Sequence, residues 1–430
     1  MHVVFLDKIK KILAIMAFSW YVFPVFFQGV PSVAWMFIYA AVPLIYFSVN
    51  YKRALIYARA FQKCEIIYLP LILLLIWSLI VIVCTQSYDF SFLGELANLA
   101  KNIIVYIFLF DLLGSIWEEK NKQLLFMKTY IIVCFLYIAS TLLFIAFPEL
   151  KNHWNDIIIL SEMDANLTND LTYFTRYGWS GFSGFTISFK ILIGEIFLLY
   201  FASRCRFVSM LMIAMGIGAF CYGRIGGFLS ILVIVIYGIN QLYVQGIKFI
   251  FDVFKFLLLL SLMFSVAFYY FSDNMFAMIW VKWVSAPIES FFYGINYGQV
   301  DFGGSTNHMI EDMYFIPEEN TLIWGDGYYI NPDGSYYMHT DVGVMRSVLF
   351  YGLVGCLIGY GALFAYCAVV YKIMANNKDR IGMLCAILIF VVTMIYEFKG
   401  LNFVIPFGVL SIMYIANKKE KYDNPFNNCG

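Results

Sequence analysis

The sequence predicts an all-α, polytopic membrane protein of about twelve transmembrane helices, and three observations predict it. Apolar residues make up 62% of the 430-residue chain and charged residues only 13%, a composition that a water-facing surface cannot accommodate. The apolar residues gather in runs close to the roughly 20 residues that cross a hydrocarbon core. Lys and Arg cluster between alternate runs, the pattern left when short positive loops are retained in the cytoplasm. A soluble fold is excluded, and one membrane domain spanning 1–430 is expected.

The runs lie near 12–30, 33–49, 66–84, 102–117, 129–147, 185–201, 207–222, 226–245, 254–272, 347–371, 381–396 and 403–416. The amino terminus has a basic start (Lys8, Lys10, Lys11) but no small-residue cleavage site, and it runs straight into the second span. It reads as a first helix, not a removable signal. With that end inside, seven cytoplasmic segments hold 20 of the 28 basic residues, and an even number of spans returns the tail to the same side. Both termini are therefore expected in the cytoplasm. The nine Cys fall almost all in apolar runs or on the cytoplasmic side, with no CxxC, so neither a disulfide framework nor a metal site is expected. Formal net charge is zero; the global balance says nothing about partners, and no nucleic acid is expected among them.

Eight cations remain in, or at the outer ends of, the helices and outer loops: Lys101, Lys151, Arg176, Lys190, Arg224, Lys282, Arg346 and Lys399. Each taken alone is explained by snorkelling or by an acidic neighbour. Together they call for a reason. Two outer loops are long, 148–184 and 273–346, and loops of that length usually carry function. The second is rich in Tyr, Trp, Gly, Asn and acids, and is expected to cap the membrane domain. It holds helix candidates at Met275–Trp283 and Asn307–Phe315, and a turn signal at Asn331, Pro332, Asp333 and Gly334.

Three segments bring a cation to the outer boundary beside glycine. Arg176 opens Arg-Tyr-Gly-Trp-Ser-Gly, where glycines let backbone amides approach an anion. Arg224 lies in Tyr222–Gly227, a turn short enough to force a tight hairpin between two helices. His339 and Arg346 flank the start of the tenth run seven residues apart, and a helix continuing back through both would place them on one face. The structural alternatives are plain: Asp341 is a natural helix N-cap, His339 a surface histidine, and Glu397 with Lys399 a local ion pair. Glu195, five residues beyond Lys190, is poorly spaced to pair with it and should have another partner.

The order of these parts resembles the Wzy-type O-antigen and capsular polysaccharide polymerases, with the O-antigen ligases as relatives. Three local signatures carry the resemblance: Arg-Xaa-Gly-Gly at Arg224–Gly227, Thr-Asp-Xaa-Gly-Xaa-Xaa-Arg at Thr340–Arg346 ahead of a Gly-rich helix, and Glu-Xaa-Lys at Glu397–Lys399. The stretch at Arg176 also looks like the segment preceding a helix in that family. The likeness covers roughly residues 170–415; the first 150 residues share only hydrophobic helices.

The resemblance implies a GT-C-type glycosyltransferase of the bacterial inner membrane, working at the periplasmic face with no cofactor or metal. Donor and acceptor would both be undecaprenyl-diphosphate-linked oligosaccharides, and membrane lipid and a chain-length regulator protein would be further partners. Arg176, Arg224, Arg346 and Lys399 would bind the diphosphate, since charge neutralisation of a leaving group is the largest catalytic effect available there. Arg224 would also act in catalysis. His339 or Asp341 would deprotonate the acceptor hydroxyl; a histidine does so near neutral pH, whereas a carboxylate would need its basicity raised. Trp324, Tyr328 and Tyr329 would offer apolar faces to sugar rings. The alternatives are an O-antigen ligase, differing in acceptor, and a lipid-linked oligosaccharide flippase, whose loops should be shorter and whose cations should line a central cavity.

Overall fold

The computed structural model describes residues 2–62, 65–117, 121–160, 175–182, 184–202, 207–246, 289, 309–400 and 403–419. The expected span at 254–272, the helix candidate Met275–Trp283 and Lys282 lie outside these residues. In chain order the helices are α1 (His2–Val22), α2 (Ser32–Val49), α3 (Tyr51–Gln62), α4 (Glu65–Thr85), α5 (Ser91–Trp117), α6 (Lys122–Ala146) and α7 (Pro148–Asn155). A hairpin of β1 (Tyr177–Gly178) and β2 (Gly181–Phe182) follows. Then come α8 (Phe185–Leu198), α9 (Val208–Tyr222), α10 (Arg224–Gln245), α11 (Glu319–Trp324), α12 (Gly343–Asn376), α13 (Arg380–Glu397) and α14 (Val404–Lys419).

Among the described residues, six helices are long and apolar enough to cross a membrane: α4 from Tyr68, α5, α6, α10 as far as Tyr243, α12 and α13. The helices α2 and α3 together make a seventh candidate, bent by 103°, while α9 and α14 are apolar but shorter. The protein is therefore a mostly helical membrane protein. Two local expectations are corrected. The first run stops at Val22, because Pro24 restrains the residue before it and supplies no amide donor. The basic segment after the second run is not a loop but α3, which buries Tyr57 and Ala60; Asn50 Nδ2 donates to the Tyr46 carbonyl and closes α2 ahead of it.

The chain packs as two compact units. The first comprises Met1–Tyr21, Val33–Met127 and His308–Gly430, the second Val22–Ser32 and Lys128–Asn307. In the first, α14 lies along α5, and α12 packs on α4, α13 and α11. One buried carboxylate, Asp111 of α5, accepts from Tyr57 Oη at 2.6 Å, Tyr46 Oη at 2.8 Å and Arg53 Nη1 at 3.1 Å, tying α2, α3 and α5 together.

One break organises the end of this unit that carries the 325–346 segment. Within α12, Gly352 adopts φ 67° and ψ −177°, a region essentially closed to residues with a Cβ. The helix is interrupted there, and the carbonyls just before it lose their intrahelical donors. New donors replace them: Asp326 N to Leu349 O at 2.7 Å, Gly327 N to Phe350 O at 3.0 Å, and Trp77 Nε1 to Tyr351 O at 2.8 Å. The segment that begins at Gly325 is thereby stitched onto the broken helix. A Cβ at Gly352 would collide with the Ile323 carbonyl, and one at Gly325 with that of Phe350. We expect Gly352→Ala to lower the stability of the detergent-solubilised protein by about 3 kcal/mol, from strain plus collision. Thermal melting would check it, and an unchanged midpoint would remove the break from this role.

In the second unit α9 packs on both α8 and α10. Gly223 alone separates α9 from α10, so the expected tight hairpin is present. Glycine makes it possible: Gly227 lies against Phe220 and Gly216 against Ser230, with no room for a Cβ at either position. Glu195 is fully buried and accepts from Ser230 Oγ at 2.8 Å, which supplies a partner other than Lys190.

Candidate functional site

In the first unit the segment 325–346 closes over Arg346. The turn at Asn331–Gly334 forms as expected, with Gly334 N bonded to Asn331 O at 2.9 Å and Ile330 bridged to Tyr336. Asp89 anchors its near side. One oxygen of that carboxylate accepts from Tyr329 N at 2.7 Å and Ile330 N at 3.0 Å, and the other from Ser91 N at 2.8 Å. On the far side Tyr337 Oη donates to Asp326 Oδ2 at 3.1 Å; burial and the Asp326 charge push that phenol up to about 12.

This frame holds two tyrosine rings against one guanidinium. The Arg346 carbon lies 4.1 Å from the centre of the Tyr329 ring and 3.6 Å from that of Tyr336. Arg346 is 7% exposed, and its Nε is buried with no hydrogen-bond acceptor among the described residues. The Tyr329 hydroxyl is likewise buried without a partner among them. A guanidinium offers five donors and is always charged. Aromatic faces compensate part of the charge but accept none of the hydrogen bonds.

The neighbouring residues stand differently from what spacing suggested. The helix does not run back from Arg346 to His339. It begins at Gly343 with Val342 as N-cap, while His339 ends a separate 3-10 turn, Tyr337–His339. His339 is exposed, has φ 54°, and sits 3.4 Å from Ser335 Oγ through Nδ1. Nor does Asp341 cap the helix: no side chain does, and it is Thr340 Oγ1 that accepts from Val342 N, at 3.3 Å. Asp341 is half-buried and close enough to Tyr314 that its charge, after burial, raises that phenol.

The Glu397–Lys399 motif converges on the same helix start. A Cβ at Gly343 would come within 2.7 Å of Glu397 Oε2 and 2.8 Å of the Gly400 carbonyl, so glycine admits the end of α13 against the first turn of α12. Glu397 is fully buried and accepts from Tyr360 Oη at 2.9 Å. Its place at a helix N-terminus suits an anion. Lys399 follows in the turn after α13, half-buried, its amide bonded to Tyr396 O at 2.9 Å.

Among the aromatic residues, Trp324 is exposed and packs 5.8 Å from Trp77, and Tyr328 is exposed and stacked on Tyr337 at 5.3 Å. Tyr329 is not available to a sugar. It is 3% exposed, with Arg346 over its ring and the edges of Phe92 and Phe350 around it.

The second unit assembles the other two arginine segments. Arg176 precedes the β1–β2 hairpin, whose two-residue turn, Trp179–Ser180, relies on Gly181 at φ 87°. Tyr137 Oη meets Ser180 Oγ at 2.5 Å, Trp179 Nε1 donates to Phe23 O at 3.1 Å, and Trp154 Nε1 donates to Trp179 O at 2.8 Å. Thr175 Oγ1 donates to Cys221 O at 2.8 Å, and Ser188 Oγ to Ala219 O at 2.6 Å. The residue before Arg176 is thus fastened to the end of α9, three residues before the half-buried Arg224 that opens α10.

No family model and no curated protein matches the chain.

Three of the eight cations expected at the outer side have ordinary structural partners. Lys190 Nζ donates to Val22 O at 2.7 Å, Lys101 Nζ to Asn98 Oδ1 at 2.7 Å, and Lys151 lies 4.9 Å over the Tyr177 ring. Sequence reading missed Tyr336 and Asp89. Tyr336 is one of many tyrosines in its loop, and only its pairing across the Asn331 turn places it on Arg346. Asp89 lies 240 residues from the amide it anchors.

Asp89 yields a pH prediction. Burial raises its pKa, but the bonds from Ser91, Tyr329 and Ile330 outweigh it and leave the value below 3.8. The folded state therefore favours the charged form, and the stabilisation is complete above 3.8 and lost as the pH falls through the lower folded value. The melting difference between wild type and Asp89→Asn should be constant at neutral pH and shrink below that point. A difference independent of pH would contradict it.

Proposed function

We propose that this protein is a membrane glycosyltransferase that polymerises undecaprenyl-diphosphate-linked oligosaccharide repeat units. It moves the growing glycan from its lipid carrier to a new lipid-linked repeat unit, at the periplasmic face of the bacterial inner membrane, to build O-antigen or capsular polysaccharide. In this reading the chain has about twelve spans of GT-C type and cytoplasmic termini. The observation that carries it is Arg346: a permanent cation on a buried residue, its buried Nε without an acceptor among the described residues, at the start of the Gly-rich helix that bears the family resemblance. Buried donors are rarely left unmade, and a phosphate oxygen is the acceptor that a guanidinium fits best.

In the reaction, a hydroxyl of the acceptor glycan attacks the anomeric carbon of the donor. The bond from that carbon to the diphosphate breaks with its electron pair, and undecaprenyl diphosphate leaves. Arg176, Arg224, Arg346 and Lys399 are assigned to phosphate charge. His339 takes the hydroxyl proton, with Asp341 as the other candidate. The exposure of His339 suits contact with the glycan of the lipid-linked acceptor, and His339→Ala should lower turnover about a hundredfold. Wild-type turnover in that variant would pass the role to Asp341, and wild-type turnover in both single variants would end the assignment.

The cellular test is deletion followed by gel analysis of the surface glycan. A cap of a single repeat unit is the expected result. Loss of every cap would favour a ligase, and an unaltered ladder would refute the proposal.

A further inference from the structure

Tyr336 has one ring face against the Arg346 guanidinium, with the arginine carbon 3.6 Å from its centre, yet the residue is 44% exposed. One face is taken by the guanidinium, and the residue nonetheless remains open to solvent. The ring is also held in place. Its residue bridges Ile330, its carbonyl accepts from Asn331 Nδ2 at 2.9 Å and from His339 N at 2.9 Å, and the turn beyond continues through two left-handed residues, Met338 and His339. A solvent-exposed aromatic residue thus lies directly over the cation of Arg346.

We propose that Tyr336 is the platform for the sugar bonded directly to the donor's phosphate, and so sets specificity for a glycosylated over a bare lipid diphosphate. The inference rests on the assignment of Arg346 to the diphosphate and goes beyond it. In a glycosyl diphosphate the first sugar ring and the first phosphorus are separated by a single oxygen, so a group that holds the phosphate must have the sugar within a ring's breadth. The layered order Tyr329, Arg346, Tyr336 supplies a cation and an adjoining stacking face in that relation. A sugar presents C–H groups on one face, which suit the electron-rich face of an aromatic ring. The cation behind Tyr336 couples the two contacts, since losing the ring also loosens the guanidinium. Tyr336 takes the sugar role expected of Tyr329, while Trp324 and Tyr328 remain for more distal sugars.

The test measures binding of two probes to purified protein in nanodiscs: undecaprenyl diphosphate, and undecaprenyl diphosphate bearing one sugar of the native repeat. Wild type should prefer the glycosylated lipid by about tenfold, the scale of a single stacking contact. Tyr336→Phe should keep that preference. Tyr336→Ala should abolish it, leaving the two lipids bound alike, and Arg346→Met should weaken both. A preference unchanged in Tyr336→Ala, while Arg346→Met weakens both lipids, would overturn the sugar platform and leave the diphosphate assignment standing. Equal binding of both lipids by wild type would also overturn the platform. Binding of both lipids unaffected by Arg346→Met would overturn the diphosphate assignment itself.

Discussion

Replacing Arg346 with Met is expected to abolish polymer formation while leaving the folded protein at least as stable as wild type. A structural arginine would behave in the opposite way, because breaking a paired buried charge costs about 3–5 kcal/mol. Here Arg346 is 7% exposed as a residue, its guanidinium lies against the rings of Tyr329 and Tyr336, and it has no ion pair among the described residues. Removing such a charge ends a desolvation cost that cation–π contacts offset only in part, and Met fills similar volume. Loss of the phosphate contact should cost about a thousandfold in turnover, the scale for deleting one group that stabilises developing charge. Arg346→Lys should rescue little, since an ammonium neither stacks as a plane between two rings nor forks to two phosphate oxygens. Turnover with purified lipid-linked substrate and a melting curve on the same preparation would check both halves. A strongly lowered melting point would return Arg346 to a structural role.

Arg224→Ala carries the second large effect: loss of polymer without loss of protein from the membrane. Gly223 is the whole connection between α9 and α10, so Arg224 begins a helix, and a helix start favours a phosphate. Its hairpin is fixed from behind by Ser188 and by the close approach of Gly227 to Phe220. Such a residue has little freedom to move away from a lipid headgroup. Arg224→Lys should keep part of the activity through charge alone. Immunoblots of membranes beside surface-glycan gels would measure both, and full-length polymer from the Ala variant would refute the role.

What the sequence disclosed was whatever depends on local pattern. Most apolar runs became helices, Gly223 made the one-residue hairpin, and Asn331–Gly334 made its turn, because hydropathy and turn chemistry act within a few residues. Of the three motifs separated along the chain, two, Thr340–Arg346 and Glu397–Lys399, meet at Gly343. The reading failed where partners are distant. Asp89 to Tyr329, and Trp77 to Tyr351, are contacts between remote segments that no periodicity announces. The break at Gly352 was legible only as a glycine-rich helix, since glycine signals both close packing and a forbidden φ. The role expected of Asp341 as a cap went instead unfilled by any side chain, because the chain enters α12 one residue later, at Val342.

The most direct measurement of the central claim is reconstitution of the purified protein in liposomes with a single lipid-linked repeat unit as both donor and acceptor. The account predicts a ladder of longer glycans on undecaprenyl diphosphate, with one undecaprenyl diphosphate released for each unit added, and neither product from Arg346→Met. Wild-type protein that binds this lipid yet forms no new glycosidic bond, whether it only moves the lipid between leaflets or turns over only when a different acceptor is supplied, would contradict it.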